Sequence, residues 1–222
     1  FFYTIGYQLA MENGAYDEAR GLAKLYEYAD MYGLSERSGV EIAETAPTVS
    51  TEYPVPSAIG QGTNSFTTAA LARYVATVAN GGTCYDLTLL DKISDAEETN
   101  VEETAPKVRS TIDMPNEYWN VIHQGMRMMI EEGKAYFAEL PVKVAGKTGT
   151  AQQSEVRPPH AVFVCYAPYE QPEIAMAVRI PFGYAADHAS RIGWDIINYY
   201  YASGQEGGDP DTEALSEQQM MD

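Results

Sequence analysis

The residues best suited to chemistry in this sequence are the run Gly146-Lys147-Thr148-Gly149-Thr150-Ala151. It sets one cation among hydroxyls and glycines at the start of a strand-like segment. Lys147 supplies positive charge, Thr148 and Thr150 offer hydroxyl donors, and Gly146 and Gly149 permit close backbone approach. Such a set suits an anion. A phosphate-binding loop ends in the same Gly-Lys-Thr, but its pattern needs a glycine where this chain has Pro141. It also needs a helix after the motif, whereas strand-like residues follow Thr150. That reading fails on both counts. An ordinary exposed strand with a lysine and two threonines would carry the same tripeptide, so the run alone does not decide.

The rest of the composition narrows the field. At 222 residues the chain fits one domain with a sizeable core. Its apolar share is 45% and its charged share 21%, ordinary for a globular protein. Net charge is −18, from 32 acids against 14 bases, which opposes nucleic acid and anionic lipid. Part of the excess is local: Asp95, Glu97, Glu98, Glu102 and Glu103 cluster, and the tail from Gly204 is acidic and rich in Gly and Gln. These two stretches are expected to be a solvated loop and a disordered tail, giving a domain over 1–203 and a tail over 204–222. Cys84 and Cys165 have no metal-ligand spacing and His123, His160 and His188 are scattered, so neither a metal site nor a cofactor is expected. Cys165 lies in an apolar run and reads as a small buried hydrophobe; spacing does not say whether it pairs with Cys84. No apolar run approaches the roughly 20 residues that cross a bilayer. The opening Phe1-Phe2-Tyr3 resembles the middle of a helix, so residues upstream are expected.

Elements that position the run follow from periodicity. Phe2, Ile5 and Leu9 share a helix face in a segment ending near Gly14. A second helix is predicted from about Asp17 to Tyr32, stopped by Gly33. Ser35 to Gln61 is a long irregular stretch, of a length more often functional or tightly packed than idle. A third helix, with Thr67 as N-cap, carries Leu71, Tyr74, Val75 and Val78 and ends at Asn80-Gly81-Gly82. Tyr85 to Ile93 alternates weakly, as a short strand would. A fourth helix starts near Pro115, with Tyr118, Val121, Ile122, Gly125 and Met129 as its apolar face and Met126, Met128 and Met129 as core filler. Strands are predicted over 142–152, 160–167 and 173–181, the last two joined as an antiparallel hairpin. A final helix from about Asp187 carries Ile192, Ile196 and Tyr199. Helices followed by an antiparallel sheet and a closing helix make an α+β fold.

Several ordered segments raise the lysine run above chance. Val142 to Gln152 closely resembles the Lys-Thr-Gly segment of class B penicillin-binding proteins. Ser57-Ala58-Ile59-Gly60-Gln61-Gly62, then Phe66-Thr67 and Leu71-Ala72-Arg73-Tyr74 through Asn80-Gly81-Gly82, resembles the helix those proteins place before that strand. Tyr32-Gly33-Leu34 with Ser38-Gly39-Val40 resembles a further stretch. The resemblance runs in order from Phe1 to about Tyr201. One departure bears on activity. The family's nucleophile sits in Ser-x-x-Lys and its second motif is Ser-x-Asn, and neither occurs among these 222 residues.

The resemblance implies a β-lactamase/transpeptidase-like fold, here without the two N-terminal strands of a five-stranded sheet. It implies peptidoglycan cross-linking in a parent protein by acyl transfer from D-Ala-D-Ala stem peptides, with β-lactam antibiotics as inhibitors and this chain inactive alone. Lys147 would hold the terminal carboxylate and tune the proton network, Thr148 and Thr150 hydroxyls would bind that carboxylate, and the Thr150 N–H would be an oxyanion donor. Gly149 would let substrate lie along the strand edge, with Gln152 flanking the cleft; Gly60, Gln61 and Gly62 form either part of its wall or a turn. Partners would be stem peptides, β-lactams and the cell-wall synthesis machinery, at the extracytoplasmic face of the membrane. A non-catalytic module binding carboxylates or β-lactams, and a DD-carboxypeptidase or β-lactamase parent, remain open as alternatives.

Overall fold

Short polar signals start and stop the elements of this chain, and side-chain size decides which faces go inward. The structure is a computed structural model and describes residues 1–95, 99–153 and 155–203. Glu97, Glu98 and the tail from Gly204 lie outside them. Helix α1 (Phe2–Leu9) leads into a tight hairpin of β1 (Met11–Glu12) and β2 (Ala15–Tyr16). Asn13 and Gly14 sit at φ of 51° and 81°, the left-handed pair that a two-residue hairpin turn requires. The first helix therefore ends at Leu9, before the expected Gly14, because Asn-Gly favours the turn. Helix α2 (Glu18–Met31) is capped by Asp17, whose carboxylate accepts from the Arg20 N–H at 3.3 Å. A short helix α3 (Pro54–Ser57) precedes α4 (Thr68–Ala79), which Thr67 caps by accepting from the Ala70 N–H at 3.1 Å.

After α4 come β3 (Thr83–Tyr85), β4 (Lys92–Ser94), β5 (Val101–Glu103) and β6 (Val108–Thr111). β3 pairs antiparallel with β6, and β4 with β5. The single strand expected over Tyr85 to Ile93 is thus two strands of different pairs. Helix α5 (Asn116–Gly133) and a 3₁₀ turn (Ala135–Glu139) lead to the main sheet: β7 (Ala145–Ala151), β8 (His160–Ala167) and β9 (Ile174–Ile180). All three are antiparallel in the order β7-β8-β9. Helix α6 (Ala186–Ser203) closes the chain, as an α+β arrangement requires. Among the described residues no helix is long and apolar enough to cross a membrane.

The sheet is covered on both faces. Phe163 and Cys165 pack with Ile130, Phe137, Leu140, Ala189 and Ile197 on one side. Ala145, Val164 and Tyr166 pack with Val75 and Ala79 of α4 on the other. Cys84 and Cys165 are both free and buried, and burial pushes the Cys165 thiol far up.

Two helix faces differ from expectation. In α5 the buried residues are Trp119 and Ile130, while Tyr118 and Val121 are 54% and 67% exposed. The stripe is rotated because Trp119 packs against Gly82 and Tyr32 while His123 meets α4, with its Nε2 at 2.7 Å from the Val78 carbonyl. Met126 and Met129 fill core space, but Met128 is 51% exposed. In α6 the inward residues are Ala189, Ser190, Gly193 and Ile197, and Ile192, Ile196 and Tyr199 face outward. A Cβ at Gly193 would stand 2.8 Å from the Phe163 ring. Here close helix–sheet approach selects small residues over apolar ones.

The irregular stretch is tightly built. Arg73 of α4 is 1% exposed. Its Nη1 donates to the Ser38 carbonyl at 3.0 Å, and its Nη2 to the carbonyls of Glu36, at 3.0 Å, and Gly33. Glu44 accepts from the Ser38 N–H at 2.7 Å and from the Thr67 hydroxyl. Burial alone would raise the Glu44 carboxyl, but the Thr67 and Ser38 hydrogen bonds and the Arg73 charge bring it below its ordinary value. Further on, the Ser57 hydroxyl donates to Ser50 Oγ at 2.6 Å, and Ser50 Oγ accepts from the Thr63 N–H at 3.0 Å. Gly60 and Gly62 take φ of 81° and 74°, so Gly60-Gln61-Gly62 is a turn.

Candidate functional site

The lysine run occupies β7, and β7 is an edge of its sheet among the described residues. One side of the strand pairs with β8, in register from Ala145↔Tyr166 to Ala151↔His160. The other side carries no described strand. Three anchors fix its entry. Arg127 of α5 donates through Nη1 to the Val144 carbonyl at 2.7 Å, the Tyr169 N–H donates to the Lys143 carbonyl at 2.8 Å, and Lys143 pairs with Glu170. The turn that carries Tyr169 is expected from the sequence as the link between the last two strands, but Arg127 is not; a basic residue half-way along a helix has no distinguishing pattern.

Strand alternation sorts the side chains. Thr148 and Thr150 lie opposite Phe163 and Ala161, while Lys147 and Gly149 lie opposite Val164 and Val162. The threonines and the lysine therefore occupy opposite pleat faces and meet only at the strand's edge. Lys147 and Thr150 are exposed, Thr148 and Gly149 are half-buried, and Gln152 is exposed just past the strand's end. The Lys147 ammonium bends back to the Thr148 carbonyl at 2.7 Å.

The two glycines of the run answer to different neighbours. A Cβ on Gly146 would stand 2.8 Å from the Val164 carbonyl and 2.9 Å from the Phe163 ring, so internal packing excludes a side chain there. A Cβ on Gly149 would meet nothing closer than 3.6 Å, an ordinary contact. Close approach to an outside partner thus remains an argument for Gly149 and not for Gly146.

The open end of this face carries more charge than the run predicted. Gly149, Val162 and Arg179 lie in one row across the three strands. Arg179 is exposed, and among the described residues no hydrogen bond or ion pair engages it. Two cations, Lys147 and Arg179, therefore share the open end of this face in a chain whose net charge is −18. Alternation in the β9 segment could have placed Arg179 beside Gly149 once the register was known. At the strand's far end His160 is buried, and burial followed by the Arg179 charge holds its pKa below the ordinary histidine value. Among the described residues no three His, Cys, Asp or Glu side chains gather as metal ligands would.

The comparisons with known proteins decide the family. A family profile described as the penicillin binding protein transpeptidase domain matches residues 4–193. The chain belongs to that family. Among relatives, penicillin-binding protein 2A of Bacillus subtilis is 29% identical over 87% of this chain and 30% of its own length. Penicillin-binding protein 2B of Streptococcus pneumoniae is 27% identical over 87% of this chain and 32% of its own. The chain thus spans about a third of the relatives it matches. Among solved structures, penicillin-binding protein 2B from S. pneumoniae strain R6 superposes with a TM-score of 0.80 at 23% identity, over 91% of this chain and 37% of that one. Penicillin-binding protein A of Mycobacterium tuberculosis, solved as an imipenem acyl-enzyme complex, does so with 0.73 at 24%, over 90% and 44%. These likenesses show the transpeptidase fold over about nine-tenths of the chain.

Proposed function

We propose that the protein carrying this chain is a class B penicillin-binding protein, a serine DD-transpeptidase that cross-links peptidoglycan stem peptides and is a target of β-lactams. The observation that carries the proposal is an edge strand bearing Lys147-Thr148-Gly149-Thr150 whose outer side pairs with no strand among the described residues. In an antiparallel strand, successive residues turn their N–H and C=O alternately toward and away from the partner. The Lys147 bond to the Thr148 carbonyl supports an outward Thr148. Thr150, two residues on, then directs its N–H outward as well. That is where an oxyanion donor belongs when a peptide is added along the edge. The space beside Gly149 fits the same addition.

In the proposed reaction a serine attacks the penultimate D-Ala carbonyl of a stem peptide, the terminal D-Ala leaves, and an amine of a second stem takes the acyl group. Lys147 attracts the terminal carboxylate and tunes the nearby protons, Thr148 and Thr150 hydroxyls bind that carboxylate, and Gln152 flanks the peptide. The attacking serine is supplied from outside these 222 residues, which hold neither Ser-x-x-Lys nor Ser-x-Asn; the chain alone is proposed to be inactive. The imipenem acyl-enzyme of the M. tuberculosis neighbour supports β-lactam binding. A Helicobacter pylori penicillin-binding protein PBP2 in complex with MreC, TM-score 0.69, supports a cell-wall machinery partner. Location at the extracytoplasmic face of the bacterial membrane follows from the same reading.

Intact-mass measurement after incubation with penicillin, on this chain and on the full-length protein, tests it. An adduct on the full-length protein alone is expected. An adduct on neither would overturn the enzyme reading in favour of a non-catalytic anion-binding module, and an adduct on this chain would overturn its inactivity.

A further inference from the structure

Immediately beyond the strand edge, the chain is held by a side chain that the mechanism above does not use. His160, the first residue of β8, is 5% exposed and has both ring nitrogens engaged. Its Nδ1 accepts from the Phe182 N–H at 3.0 Å, and its Nε2 stands 2.6 Å from Gln153 Oε1. Because Nδ1 accepts, the ring's proton sits on Nε2, which donates to Gln153. The imidazole therefore bridges two segments far apart in sequence: the residues following Thr150 and the turn between β9 and α6.

That turn is braced for the purpose. Phe182 and Tyr184 take φ of 55° and 63°, a left-handed conformation that is strained for residues other than glycine. It is held by several contacts at once. The His160 and Phe182 rings lie 4.8 Å apart, and the Arg157 guanidinium sits 5.1 Å over Phe182. The Tyr184 N–H donates to the Pro159 carbonyl at 3.1 Å, and His188 Nδ1 is 2.8 Å from the Gly183 carbonyl. The turn is thus a fixed post, and His160 transmits its position to Gln153, one residue past Gln152.

We propose that His160 is a positioning residue for acyl transfer: anchored by the β9–α6 turn, it sets where Gln152 and Gln153 stand beside a peptide lying along β7. This inference rests on the transpeptidase reading of the same edge. Protonation would place a second N–H against the Phe182 donor. Burial and the charge of Arg179, in the nearby row of Gly149 and Val162, oppose it, and both ring nitrogens already have partners. The neutral form is the one that positions.

The test uses the full-length protein and the rate of covalent labelling by penicillin, read at saturating and at limiting concentrations. His160→Asn keeps an acceptor near the Nδ1 position for Phe182 but no longer reaches Gln153. Gln153→Ala removes only the exposed partner and leaves the fold intact. Both variants are expected to slow the saturated acylation step by about tenfold to a hundredfold, the scale of a small misplacement of substrate. The unfolding midpoint of Gln153→Ala should stay near that of the unaltered protein, and that of His160→Asn should fall with loss of the Phe182 ring contact. The double variant should lose no more acylation rate than either single one. Folded variants that label at the original rate, or losses that multiply in the double variant, would overturn the positioning role alone. Absence of labelling in the unaltered protein would overturn the transpeptidase reading, and His160's role in it.

Discussion

Arg73 and Lys147 are cations of the same chain put to opposite uses. Arg73 is buried at 1% exposure and its guanidinium donates to three backbone carbonyls, of Gly33, Glu36 and Ser38. Lys147 is exposed and reaches one carbonyl of its own strand. Around Arg73, whose Nε alone is buried without a partner, and through Glu44, Ser50, Ser57 and Thr63, the chain satisfies most of its polar groups internally. Along the outer side of β7 it leaves them facing out. Segments that consume their own hydrogen-bonding capacity act as scaffold, and a strand edge that does not is available to a ligand.

The sharpest way to break this contrast is at Arg73. Arg73→Met would strand the buried carbonyls of Gly33 and Ser38 and the partly buried one of Glu36, and a loss of about 3–5 kcal/mol in urea unfolding is expected. A loss below about 1 kcal/mol would mean that the 33–38 segment does not depend on it. Next comes Gly62→Ala. Its Cβ would fall 2.4 Å from Ser57 Oγ at a φ of +74°, and a cost of about 1–3 kcal/mol is expected.

Asp187 gives a smaller effect that also sharpens the contrast through pH. Hydrogen bonding from Lys134 comes first, then from Arg191, and these hold its carboxyl below the ordinary value of 3.8 against the opposing effect of burial. A depressed carboxyl contributes stability that is present above about pH 4 and is lost as pH falls through the folded value. Asp187 is 39% exposed, so solvent screening keeps Asp187→Asn to about 1 kcal/mol or less at neutral pH. That difference should vanish in acid, which comparison of unfolding midpoints across the window would show. Lys147→Gln is expected to have the least effect on stability, within about 0.5 kcal/mol.

The sequence disclosed the strand that carries the Lys-Thr-Gly run better than its surroundings. The Lys-Thr-Gly run, the α4 cap at Thr67 and the 160–167 strand were legible because each rests on a local signal. The inward faces of α5 and α6 were not. Apolar content favoured Ile192, Ile196 and Tyr199, while the distance between helix and sheet required Ala189 and Gly193, and only the partner surface supplies that distance. The Asn13-Gly14 hairpin rests on a dipeptide signal that the helical period before it obscures. Arg179 and His160 became visible as site neighbours only with the register, since pairing, not spacing, sets Gly149 beside Val162 and Arg179.

The central claim is that the outer edge of β7 receives substrate and that Lys147 serves it without serving the fold. Penicillin labelling of the full-length protein, with and without Lys147→Gln, tests this most directly. A fall in acylation rate of about 100-fold or more, at an unchanged unfolding midpoint, is the predicted result. Labelling of the variant at the original rate would contradict the claim.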